Sequence, residues 1–333
     1  MLKRLQVTPL AAESLGVRSM CTYVETPDVR ILLDAGVSLC PKRFGLPPHP
    51  KEFQAIVKSR ERIAEAAAKA EVVTISHYHN DHHTPVFEDW LCNWTSRDVT
   101  AKQIYACKTI LMKNPTEQIN CSQRERAWMF QKTTGKYACK MEVADGRAFE
   151  FGGTRVSFHE PVFHGRENSE LGWVLMASII YGDEKFVFAP DVQGPMTSTT
   201  LRMILEEAPQ LLLIGGPPLY LEGLSVGEGE ISRALENLAT IAERVPQTIL
   251  EHHILRDRNW HEKAASVFYA AYKTAHTVQT AAEYLGEKNL LLEAARKELF
   301  DTEPPSKDFE AWMRLGEDKR RETKPPLRTV RTR

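Results

Sequence analysis

The sequence predicts a mixed α/β fold, α+β in class, and three observations carry that expectation. Short β-branched or apolar runs recur along the chain, as at Val72-Val73-Thr74-Ile75-Ser76 and Thr248-Ile249-Leu250; segments with helical spacing lie between them; and side chains able to hold a metal follow the ends of those runs. The composition agrees. Of 333 residues, 42% are hydrophobic and 26% charged, the profile of a globular chain that is neither disordered nor fibrous. At roughly 100–200 residues per domain the length admits two domains, but one large core with appended helices fits as well. The reading adopted is a single domain over 1–300, followed by a C-terminal helix and tail over 301–333. With 43 Lys and Arg against 44 Asp and Glu, the formal net charge is −1. Bulk electrostatic coating of nucleic acid or anionic membrane is thereby excluded, and any such contact needs a local patch.

No apolar run approaches ~18 residues, and the opening MLKRLQVTPLAAES lacks a signal-peptide core, so a cytoplasmic chain without membrane contact is expected. Cys21, Cys40, Cys92, Cys107, Cys121 and Cys139 are scattered with no CxxC pair. They read as reduced thiols rather than staples or metal ligands.

Each element follows in order. Residues 5–36 alternate β-rich runs with turn signals, Pro27-Asp28 and then Asp34-Ala35-Gly36, which reads as a hairpin. Pro50 opens a helix in which Phe53, Ile56, Val57, Ile63 and Ala64 keep helical spacing to about Ala70. The run 72–76 is too short for a helix and reads as a buried strand delivering the chain to His77. Residues 92–147 read as an insert, with a strand at 103–107 and a helix begun by Ser122, whose capping-box partner is Glu125. From 100 to 147, nine basic residues stand against four acids. Strands return at 154–162, 173–181 and 185–189, the last two joined by Gly182-Asp183, and 211–214 ends at Gly215-Gly216-Pro217-Pro218. Ser225 and Glu228 make a second capping box, before a helix with Ile231, Leu235, Leu238 and Ile241 on one face. The run 248–250 enters Glu251-His252-His253, and 260–299 reads as two helices broken at Gly286. The stretch 319–333, with seven basic residues and one acid, reads as a disordered tail.

The segment Ser76-His77-Tyr78-His79-Asn80-Asp81-His82-His83 carries the chemistry. Imidazoles and a carboxylate crowded beyond a buried strand are costly to desolvate unless something satisfies them, and a divalent transition metal suits those donors. His77 and His79, two apart on an extended end, can point toward one ion, whereas Asp81 and His82 follow the bend and can face a second. A lone histidine is more often a surface or satisfied polar group. Here the acid at a defined offset, and further candidates past other strands, outweigh that reading.

His77-x-His79-x-Asp81-His82 resembles the HxHxDH signature of the metallo-β-lactamase fold, and the other signatures occur in order. Asp34 resembles the first motif, a structural acid bracing the metal loop; His164 the third-motif ligand; Asp191 the bridging carboxylate of the fourth; and the fifth falls at His252 or His253. The resemblance spans about residues 5–256 and implies an αββα sandwich with the metal site at the strand ends. It also implies that Asp191 bridges two ions, that His77, His79 and His164 hold one, and that Asp81, His82 and the fifth-motif histidine hold the other. Members that process tRNA 3′ ends often carry an arginine four residues past that last ligand, which Arg256 matches if the ligand is His252. His164 is preferred to His159 because it begins a loop where ligands can converge. His83 reads as a supporting or surface residue; His49, His261 and His276 as surface or packing.

The wording Glu-His-His-Ile-Leu-Arg-Asp and Ile-Asn-Cys-Ser-Gln-Arg resembles an uncharacterised branch of these hydrolases, sometimes described as predicted metal-dependent ribonucleases. The resemblance implies a dinuclear hydrolase in which a hydroxide shared by the ions attacks, with Asp81 and Asp191 as catalytic carboxylates, Asp81 orienting the nucleophile, and a phosphodiester, RNA included, as substrate. Zinc is the expected metal, and the same donors accept manganese or iron. A small-molecule ester, thioester or lactone is the alternative substrate, and a non-catalytic metal-binding scaffold for RNA or a partner is the alternative of another class. Di-iron oxygen-reducing relatives carry HxExDH, so His79 favours hydrolysis. The 61 positions between Asp191 and His252 leave no room for a β-CASP module. The basic insert, with Trp94, Tyr105, Trp128 and Phe130, and the basic tail are the two places where RNA could bind, although a solvated helix with buried aromatics is the commoner arrangement.

Overall fold

The computed structural model describes residues 2–327, so the part of the expected tail at 328–333 lies outside the described residues. The first half of the chain supplies β1 (Gln6–Pro9), β2 (Thr22–Glu25), β3 (Arg30–Leu33), α1 (Pro50–Lys69), β4 (Val72–Ile75), α2 (Arg97–Tyr105), β5 (Thr109–Met112), α3 (Cys121–Thr133) and β6 (Lys140–Val143). These strands lie side by side in chain order, antiparallel from β1 to β3 and parallel from β3 to β6. The second half supplies β7 (Ala148–Phe151), β8 (Thr154–Phe158), the small pair β9 (Val162–Phe163) and β10 (Trp173–Val174), β11 (Ala177–Tyr181), β12 (Glu184–Ala189) and α4 (Ser198–Glu207). It continues with β13 (Leu211–Gly215), α5 (Glu228–Arg244), β14 (Gln247–Glu251), α6 (Trp260–Lys263), α7 (Ala265–Lys273), β15 (Thr277–Gln279) and α8 (Ala281–Tyr284). Its main sheet runs β15-β14-β13-β12-β11-β8-β7, parallel from β15 to β12 and antiparallel beyond. Helices α9 (Arg296–Thr302), α10 (Lys307–Met313) and α11 (Glu317–Glu322) follow.

Alternation within the short strands decides the layering. Ile31 and Leu33 share one buried cluster with Val156, Phe186, Phe188, Leu211 and Leu213, so one face of each sheet packs on the other. The residues between them point the opposite way. Leu32, Val73 and Ile110 meet Phe53, Ile56 and Ile63 of α1, while Leu212, Ile214 and Leu250 meet Ile231, Leu238 and Ile241 of α5. The result is the expected αββα sandwich. Among the described residues no helix is long and apolar enough to cross a membrane.

Several expectations are corrected. Residues 92–147 are no insert, because β5 and β6 are integral strands of the first sheet and α2 and α3 are its crossovers. Residues 103–105 close α2 rather than forming a strand, since Ala101, Ile104 and Tyr105 bury a helical stripe. Asn120, not Ser122, caps α3, its side chain accepting from Gln123 N at 2.8 Å. Likewise α5 begins after Gly227, whose amide donates to Glu230 Oε2 at 2.9 Å, so the box expected at Ser225 is displaced. The stretch 260–299 is not purely helical. Thr277-Val278 pairs with Thr248 and its neighbour as an edge strand, because β-branched residues suit the open side of β14. Residues 319–327 are ordered within the described chain: Arg321 pairs with Asp89 at 2.7 Å, Trp312 Nε1 donates to Thr323 O at 2.9 Å, and Leu327 packs on the first core cluster.

Candidate metal centre

The centre is built where strands end. Asp34 follows β3, the loop 76–83 follows β4, Asp191 follows β12 and His252 follows β14. Asp34, Asp191 and His252 all take positive φ, 46°, 51° and 68°, a strained conformation that turns each side chain off its strand into the shared space. Gly36 lets the metal loop lie close, since a Cβ there would stand 2.3 Å from His83 N and 2.5 Å from His82 C.

Asp191 sits in the middle and is almost wholly buried. Its Oδ2 lies 2.9 Å from His164 Nε2, 3.2 Å from His82 Nε2 and 3.3 Å from His77 Nε2. Its Oδ1 lies 3.0 Å from His252 Nε2 and 3.2 Å from His253 Nε2. His79 Nδ1 stands 3.0 Å from His77 Nε2, and Asp81 Oδ2 stands 3.6 Å from His252 Nε2. Donor atoms fall into tight groups: His77, His79, His164 and Asp191 form one, and Asp81, His82 and His252 another. A further group joins Asp191, His252 and His253. The chain thus brings together every residue named for the centre from the sequence.

A layer of acids and a guanidinium orients these rings. Asp34 Oδ1 accepts from Ser76 N at 2.8 Å, while its Oδ2 accepts from the Ser76 hydroxyl and lies 2.8 Å from His82 Nδ1. On the other side Glu13 Oε2, buried and without a hydrogen-bond partner, lies 3.6 Å from His252 Nδ1, and Glu13 Oε1 accepts from Arg256 Nε. Glu13 is a participant that the sequence reading missed; it lies in an ordinary-looking loop 239 positions before His252, and no local pattern marks it. Arg256 Nη1 lies 3.1 Å from His253 Nδ1. Because a guanidinium only donates, that nitrogen must accept, which places the His253 proton on Nε2. His252 is placed differently: its Nδ1 lies 3.6 Å from Glu13 Oε2 as well as 3.5 Å from Arg256 Nη2, and its Nε2 lies 3.0 Å from Asp191 Oδ1.

Protonation follows the same geometry. Burial, then the neighbouring His164, holds His79 down at about 3, and burial together with His82 keeps His77 well below the usual imidazole range. Burial opposes charge on His252 as well, but Asp191 and Glu13 outweigh it and raise the ring to about 9. Burial would lift Asp191, yet His252, His164 and His82 keep it far below the ordinary carboxylate range. The donor set fits a divalent transition metal. His164 Nε2 and Asp191 Oδ1 are buried and, despite these short approaches, are not aligned for a hydrogen bond, and imidazole nitrogens converge on one another at contact distance. A cation coordinated by nitrogen and oxygen would satisfy these lone pairs.

No family model matches the chain. A UPF0282 protein of Methanopyrus kandleri is 47% identical over 296 residues, covering 89% of this chain and 99% of its own length. The chain belongs to the UPF0282 family. A UPF0282 protein of Methanocaldococcus jannaschii is 44% identical over 296 residues, 89% of this chain and 96% of that one. Among solved structures, the metallo-β-lactamase fold protein YhfI from Bacillus subtilis matches with a TM-score of 0.52 at 16% identity, over 86% of this chain and 97% of its own. Yeast PDE1 matches with a TM-score of 0.51 at 11% identity, over 84% and 98%. The UPF0282 chain therefore has the metallo-β-lactamase fold.

The remaining histidines of this UPF0282 chain lie apart from the centre. His159 pairs with Glu207 at 3.3 Å, away from the donor groups. His83 is buried, its Nδ1 2.9 Å from His79 O, and supports the loop. His49 caps α1, accepting from Lys51 N at 3.3 Å; His261 stacks on Phe268; His276 Nδ1 lies 3.0 Å from Ala242 O. All six cysteines are free thiols. Of the aromatics in the expected RNA lid, Tyr105 and Phe130 are core residues and Trp94 packs on Phe53 and Trp90, whereas Trp128 is exposed. Above the centre opens a cleft of about 430 Å³, walled by Arg18, Arg126, Arg256 and Arg321.

Proposed function

We propose that this UPF0282 chain is a metal-dependent hydrolase that holds two divalent ions, zinc before manganese or iron, and cleaves phosphodiesters, RNA among them. One observation carries the reading: a carboxylate ringed by imidazoles forms the floor of a cleft whose walls are guanidinium groups. Carboxylate partners of those groups, Glu293, Glu13 and Asp89, do not line the cleft, so a substrate meets the cationic side. That favours an anionic substrate over a neutral ester.

His77, His79, His164 and Asp191 would hold one ion, and Asp81, His82, His252 and Asp191 the other. Bound there, such ions supply Lewis acidity and lower the pKa of water toward ~7. Asp34 and Glu13 keep the His82 and His252 rings aimed, each by facing the ring's Nδ1. Asp81, at the cleft surface, can take a hydrogen bond from the attacking water and fix its direction. His253, with its proton on Nε2 and its ring in the cleft wall, can donate to a substrate oxygen. On this reading His252 is the fifth-motif ligand and His253 has a different task.

The test is turnover of bis-p-nitrophenyl phosphate and of a labelled RNA by the purified protein with Zn²⁺ or Mn²⁺. Activity is expected to vanish in His79→Ala and Asp191→Ala. Cleavage of p-nitrophenyl acetate alone would move the reading to esters, and metal binding without turnover on any of these substrates would sink it.

A further inference from the structure

The strongest unassigned feature is a recess of about 280 Å³ that opens beside the cleft, between α3 and the chain following the metal loop. Asn80, Phe87 and Arg126 line both spaces, so the recess continues the cleft rather than lying apart from it. Its walls are largely apolar, formed by Pro85, Val86, Met129 and Phe130. Its rim carries Asn80, Ser122 and Thr133 as hydrogen-bonding groups.

Arg126 stands at the junction and differs from the other cleft arginines. Arg18 is held by Glu293 through two bonds of 2.6 Å, Arg256 by Glu13, and Arg321 by Asp89 at 2.7 Å and Glu317 at 2.8 Å. Among the described residues, Arg126 makes no ion pair; its Nη1 donates only to Tyr78 O, at 3.4 Å, on the backbone between His77 and His79. A guanidinium half-buried next to the metal loop with no carboxylate is a group waiting for an anion. Glu125, on the same helix turn, lines the recess and would repel a second anionic group there. An anion is therefore favoured at the junction and an uncharged body in the recess.

We propose that Arg126 and this recess form the substrate subsite: the guanidinium binds a phosphate oxygen, and the recess takes an uncharged planar ring carried by the same molecule, as in a nucleoside phosphate. Exposed Phe87 offers a face or edge for the ring, buried Phe130 floors the recess, and the polar lining groups offer hydrogen bonds to the ring's polar edge. The inference rests on the phosphodiester reading, which it narrows to esters bearing a ring of nucleobase size.

Equilibrium binding to the zinc-loaded protein tests it, with AMP, adenosine, ribose 5-phosphate and inorganic phosphate as probes in calorimetry or ligand-observed NMR. AMP is expected to bind about 10-fold or more tightly than either adenosine or ribose 5-phosphate, a factor in the range of one charge-assisted contact or one stacked base. Arg126→Ala should reduce AMP affinity by about 10-fold and leave adenosine unchanged, and Arg126→Lys should restore part of the loss. Met129→Trp, which fills the recess from an exposed helix face, should reduce AMP to the level of ribose 5-phosphate. Circular dichroism of each variant checks that α3 still folds. Equal affinity for AMP and ribose 5-phosphate, or an Arg126→Ala variant that binds AMP as the unaltered chain does, would overturn the proposal. Because these are binding measurements, the subsite can stand even where no phosphodiester is hydrolysed, and it can fail where one is.

Discussion

His252 and His253 are neighbours in sequence and both touch Asp191, and Arg256 lies near the Nδ1 of each, at 3.5 and 3.1 Å, yet only the Nδ1 of His252 also faces a carboxylate, Glu13 Oε2 at 3.6 Å. The difference predicts different losses. His252→Ala should lower metal content per chain, measured by elemental analysis after gel filtration, whereas His253→Ala should keep the metal and lose turnover by roughly 10²–10³-fold, the range for removing one donor to a developing charge. Equal metal loss in both would remove the distinction. Glu13→Gln, which weakens the acceptor facing His252 Nδ1, should cut metal affinity by about 10–100-fold in a competition titration with a chelating dye. From sequence alone the pair is ambiguous, because what separates the two rings is Glu13, far off in the chain, and the way the turn aims each ring. Arg256 was at least suggested by its spacing; Glu13 carried no signal, being a single acid in a loop whose role exists only after the two sheets meet.

At the level of elements, buried ion pairs tie the C-terminal segments to the first half. Arg296, fully buried at the start of α9, bonds Glu52 of α1 through Nε at 2.8 Å and Nη2 at 2.7 Å. Arg296→Met would leave Glu52 as an unpaired buried carboxylate, an expected loss of about 3–5 kcal/mol in urea unfolding. Glu293 is paired with Arg18. Burial would raise its pKa, but Arg18, Arg256 and Arg296 hold it down at about 2, against an ordinary 4.5. A depressed carboxylate stabilises the fold above its unfolded pKa and loses that contribution as pH falls through the folded one. The difference in unfolding midpoint between the unaltered chain and Glu293→Gln should therefore be constant above about pH 5 and shrink toward pH 2. A gap that stays the same across that range would contradict the assignment.

These ties also explain what the sequence could and could not convey. Strands such as 72–75 and 211–215 were readable because they are continuous apolar runs, as expected of parallel strands buried on both faces. Helix α2 was misread because Ile104-Tyr105 looks strand-like in a short window, whereas its helical stripe appears only with Ala101. Strand β15 was missed because three residues give no period, and its identity comes from the free edge of β14.

Over the whole molecule, the candidate metal ligands come from both halves: the loop 76–83 from the first sheet, Asp191 and His252 from the second, and His164 from the end of the small β9–β10 pair. Ions bound there would bridge the sheets and favour the folded state by mass action. With free metal at about 1,000 times its Kd, that linkage amounts to about 4 kcal/mol per ion. Chelation is expected to lower the thermal midpoint, and excess Zn²⁺ to restore it; a midpoint indifferent to chelator would argue that no ion binds.

The last described helix, α11, has an effect disproportionate to its length. Arg321 reaches the buried Asp89, its carbonyl accepts from Trp90 N at 2.8 Å, and its guanidinium forms part of the cleft wall. A chain clipped after Gly316 would take the cationic partner from the buried Asp89, leaving it only the amides of Leu91, Cys92 and Asn93, and remove one side of the entrance. Proteolytic nicking near the carboxyl end should thus register first as a change in what the cleft admits, before the sandwich itself gives way.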